Sequence, residues 1–340
     1  MIRIQENVQL KPFNTFGIRA NARHFVSLQS PDDLFELQQT DLFKHEARLI
    51  LGGGSNVLLT HDFNGLVIHN NLKGIQSTHE TDETITLKVA SGEVWHPFVM
   101  HCVQHNWGGV ENLSLIPGTM GAAPMQNIGA YGVEVQEVID QVEGIELSNG
   151  STRVFSKSDC RFGYRESIFK QELKEKIFIS SVTLTLTKKD HLLRTGYGAI
   201  QDTLRAMHVT APTIQSISEA VIHIRSSKLP DPTVIGNAGS FFKNPTITQQ
   251  HFQSLKQTWS EMPGYASVNQ TVKVPAAWLI EQCGWKGKRE GDAGVHQHQP
   301  LVMVNYNNAT GEEILSLAMH VRTSVQEKFD ITLTPEVNII

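Results

Sequence analysis

The chain has 340 residues, with 29 Lys and Arg against 34 Asp and Glu, and a formal net charge of −5. Its length predicts two or three domains, and a composition that is 40% hydrophobic and 19% charged excludes disorder, collagen-like repeats and coiled coil as global descriptions. The slightly acidic balance excludes the basic footprint of a nucleic-acid-binding protein.

The N-terminal segment carries charged residues (Arg3, Glu6, Lys11) and no continuous apolar region, so no signal peptide is expected. No stretch approaches the roughly 18 uncharged apolar residues that a membrane span needs. The three cysteines lie far apart, are odd in number and form no CxxC motif, which favours a reducing compartment. These features predict a cytoplasmic protein.

Residues 48–70 predict a strand, a glycine turn and a second strand, and the alternating runs 84–92 and 177–187 predict half-exposed strands. Residues 94–105 have helical spacing. Within that helix His101 and His105 stand four residues apart, but no third ligand accompanies them and no metal site is predicted.

The C-terminal third predicts three helices. Residues 218–225 read as a helix that ends before a proline-bearing turn (229–232), which predicts a domain boundary. Pro275 predicts a first-turn proline with Gly284 just past the helix end, and Thr310 with Glu313 resembles a capping box. Strands and helices mix without regular alternation, which favours an α+β fold over a doubly wound sheet.

The first chemical signal is GGGSN, residues 52–56, between two apolar stretches. Three successive glycines let the backbone approach a ligand closely, and consecutive N–H groups can then point at phosphate oxygens. Val57 stands where GxGxxG needs its third glycine, and no Gly-Lys-Ser/Thr follows, so neither a Rossmann fingerprint nor a P-loop is present. Alone, the run would fit a plain hairpin turn equally well.

The second chemical signal is residues 116–132, a long aperiodic stretch with four glycines and two prolines. Such a segment makes a poor hydrophobic core, and long ordered loops are usually functional. Two separate glycine-rich segments of this kind predict a ligand with a diphosphate, such as a dinucleotide.

Seven sequence blocks occur in an order typical of one enzyme family. They are NTFG (14–17), LGGGSN (51–56), ENLSLIPGTMGAAPMQNIGAYG (111–132), FGYRES (162–167), KLPDP (228–232), GNAGSFFKNP (236–245) and LTPEV (333–337). Over about residues 13–337 they resemble the UDP-N-acetylenolpyruvoylglucosamine reductases, flavoproteins of bacterial peptidoglycan synthesis. Tyr197, in RTGYGAI, resembles the tyrosine-bearing loop of the longer subtype.

The resemblance implies an α+β fold with a PCMH-type (vanillyl-alcohol-oxidase-like) FAD-binding domain in two lobes, 1–70 and 71–225, and a substrate lobe, 226–328. The C-terminal tail, 329–340, would return to the first lobe. The family uses FAD as cofactor and NADPH as co-substrate to reduce an enolpyruvyl UDP-sugar. No nucleic acid, membrane or obligate protein partner is implied.

The implied reaction moves a hydride from flavin N5 to the terminal carbon of the enolpyruvyl group, so the site needs a cation and an acid. By resemblance Ser240 is the proton donor, Glu336 supports protonation or orientation, and Arg165 stabilises the developing carboxylate–enolate charge. Outside their motifs, these residues would read as a turn serine, a solvated carboxylate and a surface ion pair.

The resemblance also implies two sets of binding residues. The flavin contacts would be Gly52, Gly53, Gly54, Ser55, Asn56, Pro117, Gly118, Gly121, Asn127, Ile128, Gly129 and Tyr131. The substrate contacts would be Tyr197, Lys228, Asn244, Tyr265, Lys286 and Gln299, among which Lys and Tyr offer donors to diphosphate oxygens.

Two other functions compete with this interpretation, namely a different PCMH-type flavin oxidoreductase and a non-catalytic UDP-sugar-binding protein. The blocks GNAGSFFKNP and KLPDP argue against the first, and Arg165, Ser240 and Glu336 together argue against the second. One departure from the family pattern is that PEV is followed by Asn338, where the family commonly has an arginine.

Overall fold

The computed structural model describes residues 2–267 and 269–340. The helices are α1 (Pro31–Gln38), α2 (Asp41–His45), α3 (Trp95–Gln104), α4 (Gly198–Ala206), α5 (Ile214–Lys228), α6 (Gln249–Thr258), α7 (Ala276–Gln282) and α8 (Gly311–Phe329). The strands are β1 (Gln5–Gln9), β2 (Asn21–Leu28), β3 (Arg48–Leu51), β4 (Val57–Leu58), β5 (Phe63–Asn70), β6 (Ile75–Glu80), β7 (Thr84–Ala90), β8 (Gly129–Ala130), β9 (Val133–Glu134), β10 (Ile139–Glu146), β11 (Thr152–Ser156), β12 (Ile177–Thr187), β13 (Gly236–Ser240), β14 (Thr246–Thr248), β15 (Tyr265–Ser267), β16 (Thr271–Lys273), β17 (Arg289–Glu290), β18 (Ala293–Val295), β19 (Val302–Asn305) and β20 (Asn338–Ile339).

The described residues form two compact units. Unit 1 comprises residues 2–8, 22–53 and 64–227, and unit 2 comprises 9–21, 54–63, 228–267 and 269–340. Both units mix helices with sheets, which confirms the predicted α+β class. None of the helices in the described residues is long and apolar enough to cross a membrane. The finer division into three lobes stays a prediction.

Unit 1 contains a four-stranded sheet in the order β1-β2-β5-β3, in which β3 runs parallel to β5. Its apolar face packs with Leu34 and Leu37 of α1, both buried. Ser30 begins α1 with a capping box to Asp33, so the helix starts where its backbone donors are satisfied. The predicted strand at 48–51 is confirmed, and the second strand extends over β5.

A second sheet of unit 1 has five strands in the order β11-β10-β12-β7-β6, all antiparallel. The predicted strand at 177–187 is confirmed as β12, which lies in the centre of the sheet between β10 and β7. The expected half-exposure is wrong, because β12 is buried over nearly its whole length and packs Phe178 into one core and Ile179 into another. Helix α3 adds Trp95 and Phe98 to the same core, as its spacing predicts. The sheet and α3 therefore share one core with the loop that follows α3.

Helices α4 and α5 form a separate small core in unit 1. Helix α5 runs from Ile214 to Lys228, longer than the predicted 218–225, because Ile214 and Ile217 continue the buried stripe of Val221 and Ile224 towards the N-terminus. Tyr131 and Leu193 pack against this core from outside the two helices. The small core thus holds the two loops that carry these residues.

Unit 2 is built on a four-stranded sheet, β13-β19-β18-β17, with a three-stranded sheet, β14-β16-β15, and the parallel pair β20-β4. Helix α8 begins with the predicted capping box, in which the Glu313 amide donates to Thr310 Oγ1 and the Thr310 amide donates to Glu313 Oε2. Pro275 is the N-cap of α7 and not its first helical residue, because its ψ of 114° is extended. The first-turn prediction was therefore wrong by one position.

Candidate active site

The two glycine-rich segments meet in unit 1. A methyl group added to Gly52 would lie 2.6 Å from Thr119 Oγ1, and one added to Gly53 would lie 3.3 Å from the Cα atom of Gly118. Only residues without a side chain allow this approach. We call Gly52, Gly53, Gly118 and Thr119 the glycine cradle; Gly53 is exposed and Gly52 and Gly118 are half-buried, so the backbone of these glycines suits the phosphates of a dinucleotide such as FAD.

The long glycine-rich loop is held on unit 1 by backbone hydrogen bonds. The Trp95 amide donates to the Gly118 carbonyl (3.0 Å), and the amide of Gly121 donates to Ser91 (2.7 Å). A methyl group on Gly121 would meet Ser91 Cβ at 2.7 Å, so this glycine is required by packing. Pro117, beside Gly118, is exposed. The loop is therefore an ordered support for a bound molecule.

The rest of the first glycine run belongs to unit 2. Gly54 has φ of +59°, and a Cβ there would lie 2.0 Å from the Phe13 carbonyl oxygen, so no other residue fits. Ser55 follows and is half-buried. The Asn56 carbonyl accepts hydrogen bonds from the amide (3.1 Å) and the side chain (2.9 Å) of Asn338. Asn338, the departure from the family pattern, thus fastens the C-terminal segment to Asn56.

Arg165 lies in a tight turn of unit 1. Its φ is +57°, and the flanking residues Gly163 and Glu166 exchange two backbone hydrogen bonds across the turn. The guanidinium donates to the carbonyls of Gly129 (2.7 Å) and Asn127 (3.4 Å). A non-glycine residue in the left-handed region is uncommon and indicates that surrounding contacts fix it. The predicted arginine is thus positioned by the predicted loop, 127–129.

The backbone of that loop is itself ordered by Asn127. Asn127 is buried, and its side-chain amide donates to Glu134 Oε2 (2.8 Å) and to the Gly163 carbonyl (3.1 Å). Its neighbour Ile128 is also buried. The structure therefore gives Asn127 and Ile128 a supporting role in unit 1, and flavin contact by them stays a prediction.

Arg225 was not predicted and belongs to the same group of residues. Its Nε donates to the Leu115 carbonyl (3.1 Å), and its side chain is hydrogen-bonded to Tyr131. Burial lowers the pKa of Arg225, and the charge of Arg165 lowers it further. Arg225 stands four residues after buried Val221, so a charged residue on the apolar face of α5 was the signal that could have identified it.

Two tyrosines extend this group. The rings of Tyr131 and Tyr197 lie edge to face with centroids 5.4 Å apart. Burial raises the pKa of Tyr131, while Arg225 opposes that rise. Tyr197 remains 54% exposed at the start of α4, where its ring can meet a ligand. Unit 1 thus brings together Arg165, Tyr131 and Tyr197 with Arg225.

Ser240 and Glu336 are brought together within unit 2. Ser240 ends β13, and the next residue, Phe241, accepts a hydrogen bond from the Glu336 amide (2.8 Å). The Lys243 amide donates to the Thr334 carbonyl (2.9 Å), so the two segments form an antiparallel bridge centred on Phe242 and Pro335. Phe241 is fully buried and anchors the pair. Two sequence-distant motifs are therefore joined by one β-bridge.

The remaining predicted substrate residues lie in unit 2. Asn244 Oδ1 accepts from the Ala276 amide (2.9 Å) at the start of α7, and Lys286 forms an ion pair with Glu281 (2.7 Å). Gln299 is half-buried, whereas Lys228 and Tyr265 are exposed, the latter by 65%. Asn244 and Lys286 therefore have structural contacts of their own, and substrate contact by all five stays a prediction.

A test of the glycine cradle is Gly52→Ala, which places a methyl group against Thr119 Oγ1. We expect FAD to bind at least about tenfold more weakly, because overpacking a tight contact costs about 1–3 kcal/mol. Adding Thr119→Ala removes the clashing oxygen and should recover much of the affinity. Flavin content and FAD titration measure both variants.

The matched control is Gly196→Ala, since a methyl group at Gly196 would have no atom within 4 Å. It should leave FAD affinity unchanged. Equal flavin retention by the Gly52 and Gly196 variants would contradict the role of the cradle.

Two family models match the chain. Residues 231–340 match the UDP-N-acetylenolpyruvoylglucosamine reductase C-terminal domain, and residues 22–156 match an FAD-binding domain. The chain is 47% identical over 339 residues to the UDP-N-acetylenolpyruvoylglucosamine reductase of Flavobacterium johnsoniae, covering 100% of both chains. It is 49% identical over 337 residues to the enzyme of the same name from Amoebophilus asiaticus, covering 99% of each.

The fold also resembles a solved structure. The UDP-N-acetylenolpyruvylglucosamine reductase of Thermus caldophilus aligns with a TM-score of 0.70 at 22% identity, covering 100% of this chain and 99% of that one. Together with the match to an FAD-binding domain, this similarity confirms the predicted α+β fold with a PCMH-type flavin-binding part.

Proposed function

Because the chain belongs to the UDP-N-acetylenolpyruvoylglucosamine reductase family, we propose that it uses FAD and NADPH to reduce the enolpyruvyl group of UDP-N-acetyl-3-O-(1-carboxyvinyl)-glucosamine to UDP-N-acetylmuramate. The structural observation that carries the proposal is the hydrogen bond from the Glu336 amide to the Phe241 carbonyl. It joins Glu336 to the residue after Ser240 within unit 2, which supports a proton-transfer role shared by that carboxylate and that hydroxyl.

Bound FAD supplies the hydride for the enolpyruvyl double bond. The glycine cradle, with Pro117 and Gly121, would support that cofactor through bare backbone, and the same role is proposed for residues 54–56. Tyr131 adds a hydroxyl whose position is set by Arg225. The residues present therefore fit the cofactor that the family uses.

The chain's own residues supply charge stabilisation and a proton. Hydride addition to the terminal carbon leaves negative charge on the carbon beside the carboxylate, and a proton on that carbon completes the product. We assign the stabilising cation to Arg165, whose guanidinium offers a planar fork to a carboxylate and stays charged. Ser240 donates the proton, and Glu336 supports or orients that step.

Substrate binding is proposed for six residues, namely Tyr197, Lys228, Asn244, Tyr265, Lys286 and Gln299. The lobes 1–70, with 329–340, and 71–225 would hold the flavin, and 226–328 the UDP-sugar. We propose that the protein acts in the cytoplasm, since its three cysteines are free and suit a reducing compartment. We propose no obligate protein partner.

The test of the function is NADPH oxidation by the purified protein. We expect oxidation that depends on the enolpyruvyl UDP-sugar and yields one UDP-N-acetylmuramate for each NADPH. Oxidation of NADPH that ignores the UDP-sugar, with turnover of another alcohol, would favour a different flavin oxidoreductase. A colourless protein that binds the UDP-sugar without turnover would favour a binding protein.

The flavin is expected to be held without a covalent bond. The segments GGGSN and IPGTMGAAP contain no histidine or cysteine, the residue types that tether flavin in oxidases of this fold. Acid precipitation should release all the yellow colour into the supernatant. Colour that stays in the washed pellet would contradict this prediction.

A further inference from the structure

Asn112 connects two segments of unit 1 that its position in the chain does not suggest. Its side-chain amide donates to the Arg194 carbonyl (2.9 Å) and to the Tyr131 carbonyl (3.4 Å). The side chain is only 1% exposed, and its Oδ1 has no hydrogen-bond partner in the described structure. Arg194 lies in the tyrosine segment, which we define as residues 188–197 between β12 and α4.

The orientation of the Asn112 amide is determined by its two acceptors. An amide nitrogen has two hydrogens, and each faces one carbonyl oxygen. The flipped amide would set its oxygen against both carbonyls and leave no donor for either, so the assignment is unambiguous. Leaving the buried Asn112 oxygen unpaired costs stability. The contribution of this side chain therefore comes from the two hydrogen bonds that its amide nitrogen donates.

Leu193 packs against the core of α4 and α5, and the polar contacts of the tyrosine segment other than the Asn112 bond are weaker or further from Tyr197. Arg194 pairs with Glu137 at 3.5 Å, but both side chains are well exposed and such pairs contribute little. His191 contacts Thr187 six residues before Tyr197. Tyr197 is flanked by Gly196 and Gly198, around which a methyl group would meet no atom. Packing at these two glycines therefore does not restrain the backbone beside Tyr197.

We infer that Asn112 is a positioning residue that fixes the tyrosine segment to the loop of Tyr131, so that Tyr197 is held where the UDP-sugar binds. The edge-to-face packing of the Tyr131 and Tyr197 rings follows from this link, because Asn112 holds the backbone of one and a backbone three residues before the other. The inference rests on the proposed function, in which Tyr197 contacts the substrate. It assigns a role in substrate affinity to a side chain that touches neither substrate nor cofactor.

The first test is limited trypsin digestion of the FAD-loaded Asn112→Asp variant. Aspartate keeps the shape but sets a carboxylate against the two carbonyls, so the tyrosine segment should detach. The bond after Arg194 belongs to the very carbonyl that Asn112 holds, and mass spectrometry should show it cut at least about tenfold faster. Cleavage after Arg161, in an exposed turn elsewhere in unit 1, should keep its normal rate.

The second test separates positioning from general loss of stability. The matched control is Val142→Ala, a fully buried residue of β10 in the core of unit 1. Asn112→Asp should raise KM for the enolpyruvyl UDP-sugar about tenfold and leave FAD reduction by NADPH within about threefold, whereas Val142→Ala should change neither. Where Asn112→Asp fails to fold, Asn112→Ala removes the donors without adding charge.

Two outcomes would overturn the inference. One is an unchanged cleavage rate after Arg194 in a folded variant, or a rate equal to that of Val142→Ala. The other is faster cleavage with an unchanged KM. Neither resembles failure of the proposed function, which would appear as wild-type protein that does not turn over the enolpyruvyl UDP-sugar.

Discussion

Ser240→Ala is expected to slow the reaction with the enolpyruvyl UDP-sugar by at least about 10²–10⁴-fold, the range that general acid catalysis supplies. Loss of charge stabilisation at the same carbon would add to the effect. Reduction of bound FAD by NADPH should stay within a few-fold of normal, because a serine hydroxyl contributes nothing to that hydride transfer. The two half-reactions are followed anaerobically by stopped-flow absorbance of the flavin.

The Ser240→Ala variant removes the hydroxyl without removing backbone contacts of β13. Ser240 is half-buried at the end of β13. Its backbone pairs with Val302, and the next residue, Phe241, accepts the hydrogen bond from Glu336, so alanine at 240 leaves these backbone contacts intact. Ser240→Cys should recover part of the lost rate, since a thiol still delivers a proton. Equal slowing of both half-reactions would instead make Ser240 a residue that positions the flavin or stabilises unit 2.

Arg165→Met should cost on the order of 2–4 kcal/mol of transition-state stabilisation, by comparison with loss of a preorganised oxyanion donor. Arg165→Lys should retain more activity than Met and remain well below wild type, because lysine keeps the charge but loses the planar fork. The ratio of kcat/KM for the enolpyruvyl UDP-sugar measures both. Near-normal turnover by Arg165→Met would remove Arg165 from the mechanism.

Arg161→Met is the matched control for that experiment. Arg161 lies four residues earlier in the same loop, is 64% exposed and forms an ion pair with Glu172 on the surface. It should leave kcat/KM unchanged. Flavin content of Arg165→Met, measured in parallel, shows whether loss of the hydrogen bond from Arg165 to the Gly129 carbonyl has disturbed the predicted flavin contacts at 127–129.

Prediction from the sequence succeeded where a pattern acts over a few residues. Strand β12 follows from the alternation in IFISSVTLTLT, and the start of α8 follows from Thr310 and Glu313. Both depend on side chains two to four residues apart, whose relative positions are set by strand or helix geometry alone. The missed N-terminal part of α5 shows the limit, because the turn at Ile214 is stabilised by the burial of Ile214 and Ile217 in the tertiary structure.

By itself, the sequence determined the α+β class, the main strands and helices, the glycine-rich segments and, through its motif blocks, the family. Only the tertiary structure decided that Gly52 lies against Thr119, that Arg165 is held by the Gly129 carbonyl, and that Arg225 and Asn112 both bond to Tyr131. These contacts join segments far apart in the chain. Their formation depends on the register of whole sheets and the packing of separate cores, which no short pattern encodes.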